Sequence, residues 1–138
     1  MSNGGTLPTV DPGEWLARFI HFKSYIRQDR TIRPNAFIPH PHPNLSVTRH
    51  LQLSEWEIWE VARNVARQTN KPLYGRVDVQ ARVFQQQQLI VIADPVLPGN
   101  PNHANVTGWP EEKPAQKSIA QEIAAAANRV LEPPRNSA

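Results

Sequence analysis

Apolar residues recur at helical spacing in three parts of the chain. Trp15, Phe19, Phe22 and Ile26 fall four, three and four residues apart, which makes one stripe of a helix. Asp11 suits the N-cap of that helix, Pro12 its first position and Glu14 its positive end. A helix is therefore expected over 13–28. A second stripe, Ile58, Val61, Ala62 and Val65, predicts a helix over 54–69. Ser54 and Glu57 form a capping box, with Leu53 and Ile58 placed for a hydrophobic staple. Glu55, Glu57 and Glu60 precede Arg63, Arg67 and Lys71, the order a helix dipole favours, and Pro72 stops the helix. The third stripe, Ile119, Ile123, Ala126, Ala127 and Val130, predicts a helix over 114–131 that Pro133 and Pro134 end.

Strand-like patterns are shorter. Leu89–Ala93 is an unbroken apolar run, Leu45 and Val47 mark a strand over 45–49, and 103–107 is a third candidate. Residues 73–88 fit two templates. Val77, Val79, Ala81 and Val83 alternate as in a strand, whereas Val77, Ala81 and Phe84 share a helix face. Gln85–Gln88 has poor chemistry for a hairpin turn, so a fourth helix over 79–87 is preferred. Pro34, Pro39, Pro41 and Pro43 make 31–44 irregular. The expected fold is α+β, a small two-layer single domain with three to four helices packed on a short two- to three-stranded sheet. It occupies 11–131, between a disordered N-terminal tail at 1–10 and a C-terminal tail at 132–138.

Composition narrows the chemistry. The 138 residues contain no cysteine, which removes disulfides, thiolate catalysis and cysteine-bound zinc. There is no apolar run of the ~20 residues a membrane span needs and no signal-peptide pattern over Met1–Gly13, so the expected location is the cytoplasm. On that reading Asn44-Leu45-Ser46 and Asn105-Val106-Thr107 match the glycosylation pattern by chance. A net charge of +3 is mild, with a local excess of bases only between Arg18 and Arg33. Lys23, Arg27, Arg30 and Arg33 are the candidate residues for nucleic acid; the plainer reading is a solvated helix face.

The strand at 89–93 runs into a long loop stiffened by Pro95, Pro98 and Pro101, a setting in which sites are often built. Prolines at every third position share one side of a polyproline II helix. Together with Asn102, Trp109 and Trp56 they outline a surface for a protein partner, in which stiff loops and Trp anchors lose little entropy on binding. Two other constellations compete with it. Asp94 and His103 could pair for acid–base work, against the plain reading of Asp94 as a turn starter. His40, His42, His50 and His103 could gather around Zn or Fe, against that of exposed loop histidines. Arg49, Arg76 and Arg82 read as solvent-facing. No Gly-rich phosphate loop or serine nucleophile motif is present.

The leading expectation is a small non-enzymatic protein that binds a protein partner through 95–110 and needs no cofactor. The first alternative is a His/Asp- or metal-dependent hydrolase or phosphoesterase. The second is a nucleic-acid accessory protein using the basic N-terminal segment.

Overall fold

The computed structural model describes residues 9–40 and 42–135. The chain forms β1 (Trp15–Ile20), β2 (Leu45–Arg49), α1 (Glu55–Thr69), β3 (Gly75–Gln80), α2 (Ala81–Gln85), β4 (Ile90–Ala93), β5 (His103–Thr107) and α3 (Lys113–Ala126). Short 3₁₀ turns occupy Lys23–Tyr25 and Pro34–Phe37. The strands make one five-stranded sheet in the order β3-β1-β2-β5-β4, with every pair antiparallel. This corrects the expected fold class: the sheet has five strands rather than two or three, and only α1 and α3 among the three helices are long.

The largest correction is the segment expected as a helix over 13–28. It begins as β1 and continues through 3₁₀ and irregular chain. Leu16, Ala17, Phe19 and Ile20 are all buried, because β1 lies inside the sheet with cover on both faces. Such a strand carries a near-continuous apolar run. Leu16 and Ile20 join the larger core with Phe37, Ala120 and Ile123, and Ala17 and Phe19 pack with Ile58, Trp59 and Ala62 of α1. Of the expected helical stripe only Phe19 is buried, whereas Trp15 and Phe22 are 41% and 51% exposed, so the spacing of four, three and four marks no common face.

Residues 75–88 contain both readings in succession. Val77 and Val79 point into the larger core as a strand would place them, and the helix begins only at Ala81. The last helix stops at Ala126, short of 131, because the following chain has another role. Arg76 and Leu131 exchange backbone bonds of 3.0 and 2.9 Å, and the carbonyl of Leu131 passes so close to Gly75 that a Cβ there would meet it at 2.7 Å. The outer edge of β3 thus obtains partners for its exposed backbone groups. At the opposite edge Thr9 bridges Ile92, and Val10, 2% exposed, donates to the Val91 carbonyl. The packed chain therefore starts by Thr9. The remainder of the expected N-terminal tail, and 136–138 of the C-terminal one, lie outside the described residues.

The helix expected at 54–69 appears as α1. Glu57 N–H donates to Ser54 Oγ at 3.1 Å and Ser54 N–H donates to Glu57 Oε1 at 2.8 Å, and Asn70 closes its end in the left-handed conformation.

Candidate functional site

The sheet is split along its middle. β1 pairs with β3 from Trp15 to Ile20, and β2 pairs with β5 from Leu45 to Thr48. Between β1 and β2 only Leu16 with Arg49 and Ala17 with Thr48 are in register. Beyond Ala17 the strands part, and the Arg18 side chain spans the gap. Its Nε donates to the Ala36 carbonyl at 2.8 Å and its Nη1 to the Ser46 carbonyl at 3.0 Å. Two chambers open here. The larger, of about 610 Å³, is bounded by the end of β1, the 3₁₀ turns, Pro39, His40, His42 and Lys71. The smaller, of about 240 Å³, lies between α1 and the 96–103 loop. Arg18, Phe19, His21, Ser46, Val65 and Thr69 line both.

The larger chamber carries one sign of charge. Arg18, Lys71, His21, His40 and His42 line it, and no Asp or Glu does so among the described residues. Arg18 has carbonyl partners, and no carboxylate pairs with it among the described residues. Burial pulls its pKa down to about 10, opposed by the nearby Tyr25 hydroxyl, so it stays charged at neutral pH. His21 is held below the usual imidazole range, first by burial and then by the charges of Arg18 and Lys71, while its bond to the Pro72 carbonyl opposes the shift. That bond, 2.8 Å from Nδ1, requires the proton on Nδ1 and leaves Nε2 as the acceptor of the neutral ring. A half-buried cation without a carboxylate partner among the described residues, with a second cation at the rim, attracts an anion.

A second polar cluster satisfies itself. Arg76 is 1% exposed, which corrects its solvent-facing reading. It donates to both oxygens of Glu55 at 3.1 and 2.6 Å and to both of Asp78 at 3.0 Å. Its guanidinium lies 5.0 Å from the Trp59 ring centroid. His50 Nε2 lies 3.0 Å from Asp78 Oδ1. Burial raises the Asp78 pKa, but the bonds from His50 and Arg76 outweigh it and the net shift is downward. Arg76 is raised although burial opposes this, through its bonds to Asp78 and Glu55. Each charge is matched, as a joint between α1 and β3 requires. Arg49 is also paired, with both Glu14 oxygens at 2.9 Å. Sequence reasoning missed this joint, although Arg76 and Asp78 stand two apart on an alternating run and so share a strand face.

The other candidates disperse. Asp94 and His103 do meet: Nδ1 lies 2.9 Å from the Asp94 carbonyl and 3.3 Å from Oδ2, which also accepts from Asn105 at 3.0 Å. His40 and His42 line the larger chamber, His50 joins Asp78, and His103 lines the smaller chamber. No three His, Asp or Glu residues converge to hold a metal among the described residues. The 95–101 segment folds back: Val96 and Asn100 exchange backbone bonds of 2.9 and 2.6 Å, leaving Leu97 76% exposed. Asn100 is buried and donates to Thr48 Oγ1 at 2.9 Å, and Asn102 donates to the Arg49 carbonyl at 3.1 Å. Pro95 and Pro101 are exposed, and Trp109 is half-buried against the larger core with Nε1 bonded to the Val106 carbonyl. Trp56 is 59% exposed beneath the Arg63 guanidinium. Lys23 and Arg33 are exposed, Arg27 donates to the Ile32 carbonyl, and Arg30 pairs with Glu132 at 3.5 Å.

The residues missed at the cleft are Arg18, His21 and Lys71. One signal for them was available: Arg18 is a lone cation inside the apolar run of β1. No helix among the described residues is long and apolar enough to cross a membrane. In comparisons with known proteins the chain matches no family model, no curated protein and no solved structure.

Proposed function

We propose that this protein is a small non-enzymatic binding module that takes an anionic group of its ligand into the cleft where β1 and β2 part. The observation that carries the reading is Arg18, a half-buried cation that lines one chamber with Lys71 and His21 and with no carboxylate among the described residues. Folding such a cluster costs electrostatic energy that a bound anion recovers. Sulfate is the clean probe, since its charge does not change near neutral pH. Added sulfate should shift amide resonances around Arg18, Ser46 and Lys71 saturably and raise the His21 pKa. Arg18→Gln should weaken binding by about tenfold or more, the loss of a charge-assisted hydrogen bond. Lys71→Ala, an exposed change that spares the fold, should weaken it less. A His21 titration unmoved by sulfate, with no saturable shifts in the cleft, would sink the reading.

A second reading keeps the loop as a docking surface for a protein partner. Its support is the closed turn at Val96–Asn100, which presents Val96 at 45% and Leu97 at 76% exposure.

A further inference from the structure

We propose that the ligand of the β1–β2 cleft is a nucleotide, its phosphate held by Arg18 and Lys71 and its base stacked on Phe22 and Tyr25. The inference rests on the anion reading above and adds the remainder of the ligand to it. Phe22 and Tyr25 line the same chamber as the cations. Their ring centroids lie 5.0 Å apart at an interplanar angle of 42°. Phe22 is 51% exposed, a large ring at the chamber wall. Tyr25 also packs against the larger core, but a simple anion leaves the exposed Phe22 ring beside it unexplained. Aromatic rings beside a basic groove are the arrangement that binds nucleotides by stacking and charge together. Tyr25 and Phe22 share the walls of one chamber with Arg18 and Lys71.

Size and polarity agree. A chamber of about 610 Å³ lies within the range of roughly 300–1,000 Å³ typical of small-ligand sites. Asn35, Asn44 and Ser46 also line it, and their amides and hydroxyl supply both donors and acceptors. A heterocyclic base has edges that use such groups, whereas a plain phenyl ring has none. That difference favours a nucleotide over a phosphorylated aromatic side chain.

The same chemistry is presented by a free nucleotide and by the end of a single strand of nucleic acid. The full chain would be titrated calorimetrically with sulfate, phenyl phosphate, adenosine and guanosine monophosphates, and a short single-stranded oligonucleotide carrying a 5′ phosphate. At least one mononucleotide or the oligonucleotide should bind more tightly than both sulfate and phenyl phosphate. Phe22→Ala, at an exposed position, should abolish that advantage with a loss of roughly five- to hundredfold while leaving sulfate binding unchanged. A gain seen with the oligonucleotide but not the mononucleotides would assign the source as a strand end. Nucleotides and oligonucleotide no tighter than phenyl phosphate, or an advantage that survives Phe22→Ala, would overturn this proposal and leave the anion site standing. Failure of every ligand, sulfate included, would remove the anion site as well.

Discussion

Arg18 and Arg76 show how one residue type serves two ends. Both are guanidinium groups within the sheet region. Arg76 has two carboxylates and an aromatic face, so its charge is consumed by the fold. Among the described residues Arg18 has only carbonyl dipoles as partners, so its charge remains available to a ligand. The contrast predicts different mutational outcomes. Arg76→Ala leaves Asp78 buried without its main partner and should cost about 3–5 kcal/mol in urea denaturation. Replacing the pair together, as Arg76→Met with Asp78→Leu, should cost clearly less, because no buried charge is then orphaned. An Arg76→Ala protein within about 1 kcal/mol of wild type would show that the joint contributes little beyond a surface pair.

Among the elements, the 94–103 loop is the most informative. Its prolines suggest an extended arm, yet the paired backbone bonds of Val96 and Asn100 close it, and Gly99 lies against the amide end of Gln68 on α1. The loop is therefore one wall of the smaller chamber as well as an exposed tip. If the tip docks a protein partner, Leu97→Asp should abolish capture of that partner while leaving the melting temperature within about 2 °C, as expected of an exposed site. If the loop serves only the cleft, Leu97→Asp should change neither capture nor sulfate affinity. Unchanged capture by Leu97→Asp would retire the loop as a docking surface.

The whole molecule should record the cleft's charge in its pH dependence. The folded-state pKa of His21 lies below its ordinary value of 6.5, so the unfolded chain binds more protons as pH falls past that value. Stability is complete above 6.5 and declines as pH drops through 6.5 toward the folded pKa. Glu14 and Asp78 also titrate below their ordinary values of 4.5 and 3.8. Their stabilisation is present above those values and is lost as pH falls through their folded pKa values. Urea midpoints should therefore fall in two stages on acidification. His21→Gln should remove the upper stage and spare the lower. Persistence of the upper stage in that variant would assign it to another group.

Local chemistry written in consecutive residues was legible from the chain alone. The Ser54–Glu57 box, the stripe of α1 and the apolar run before Asp94 each depend on neighbours within a turn or two, so α1 and the strands at 45–49 and 89–93 could be read directly. Partnership between distant segments was decided only in three dimensions. β1 became a strand because β3 and the end of β2 supply its ladder and two cores cover its faces, which overrides a helical spacing. The helix ending at Ala126 gave up its last turn because the backbone edge of β3 needed Leu131. Arg18, His21 and Lys71 carry no motif; they form a site because two strands part after Ala17 and leave a cationic cleft between them. Secondary structure of amphipathic segments follows from local spacing, whereas the charge balance of a cavity depends on which remote acids fold beside it, and here none does among the described residues.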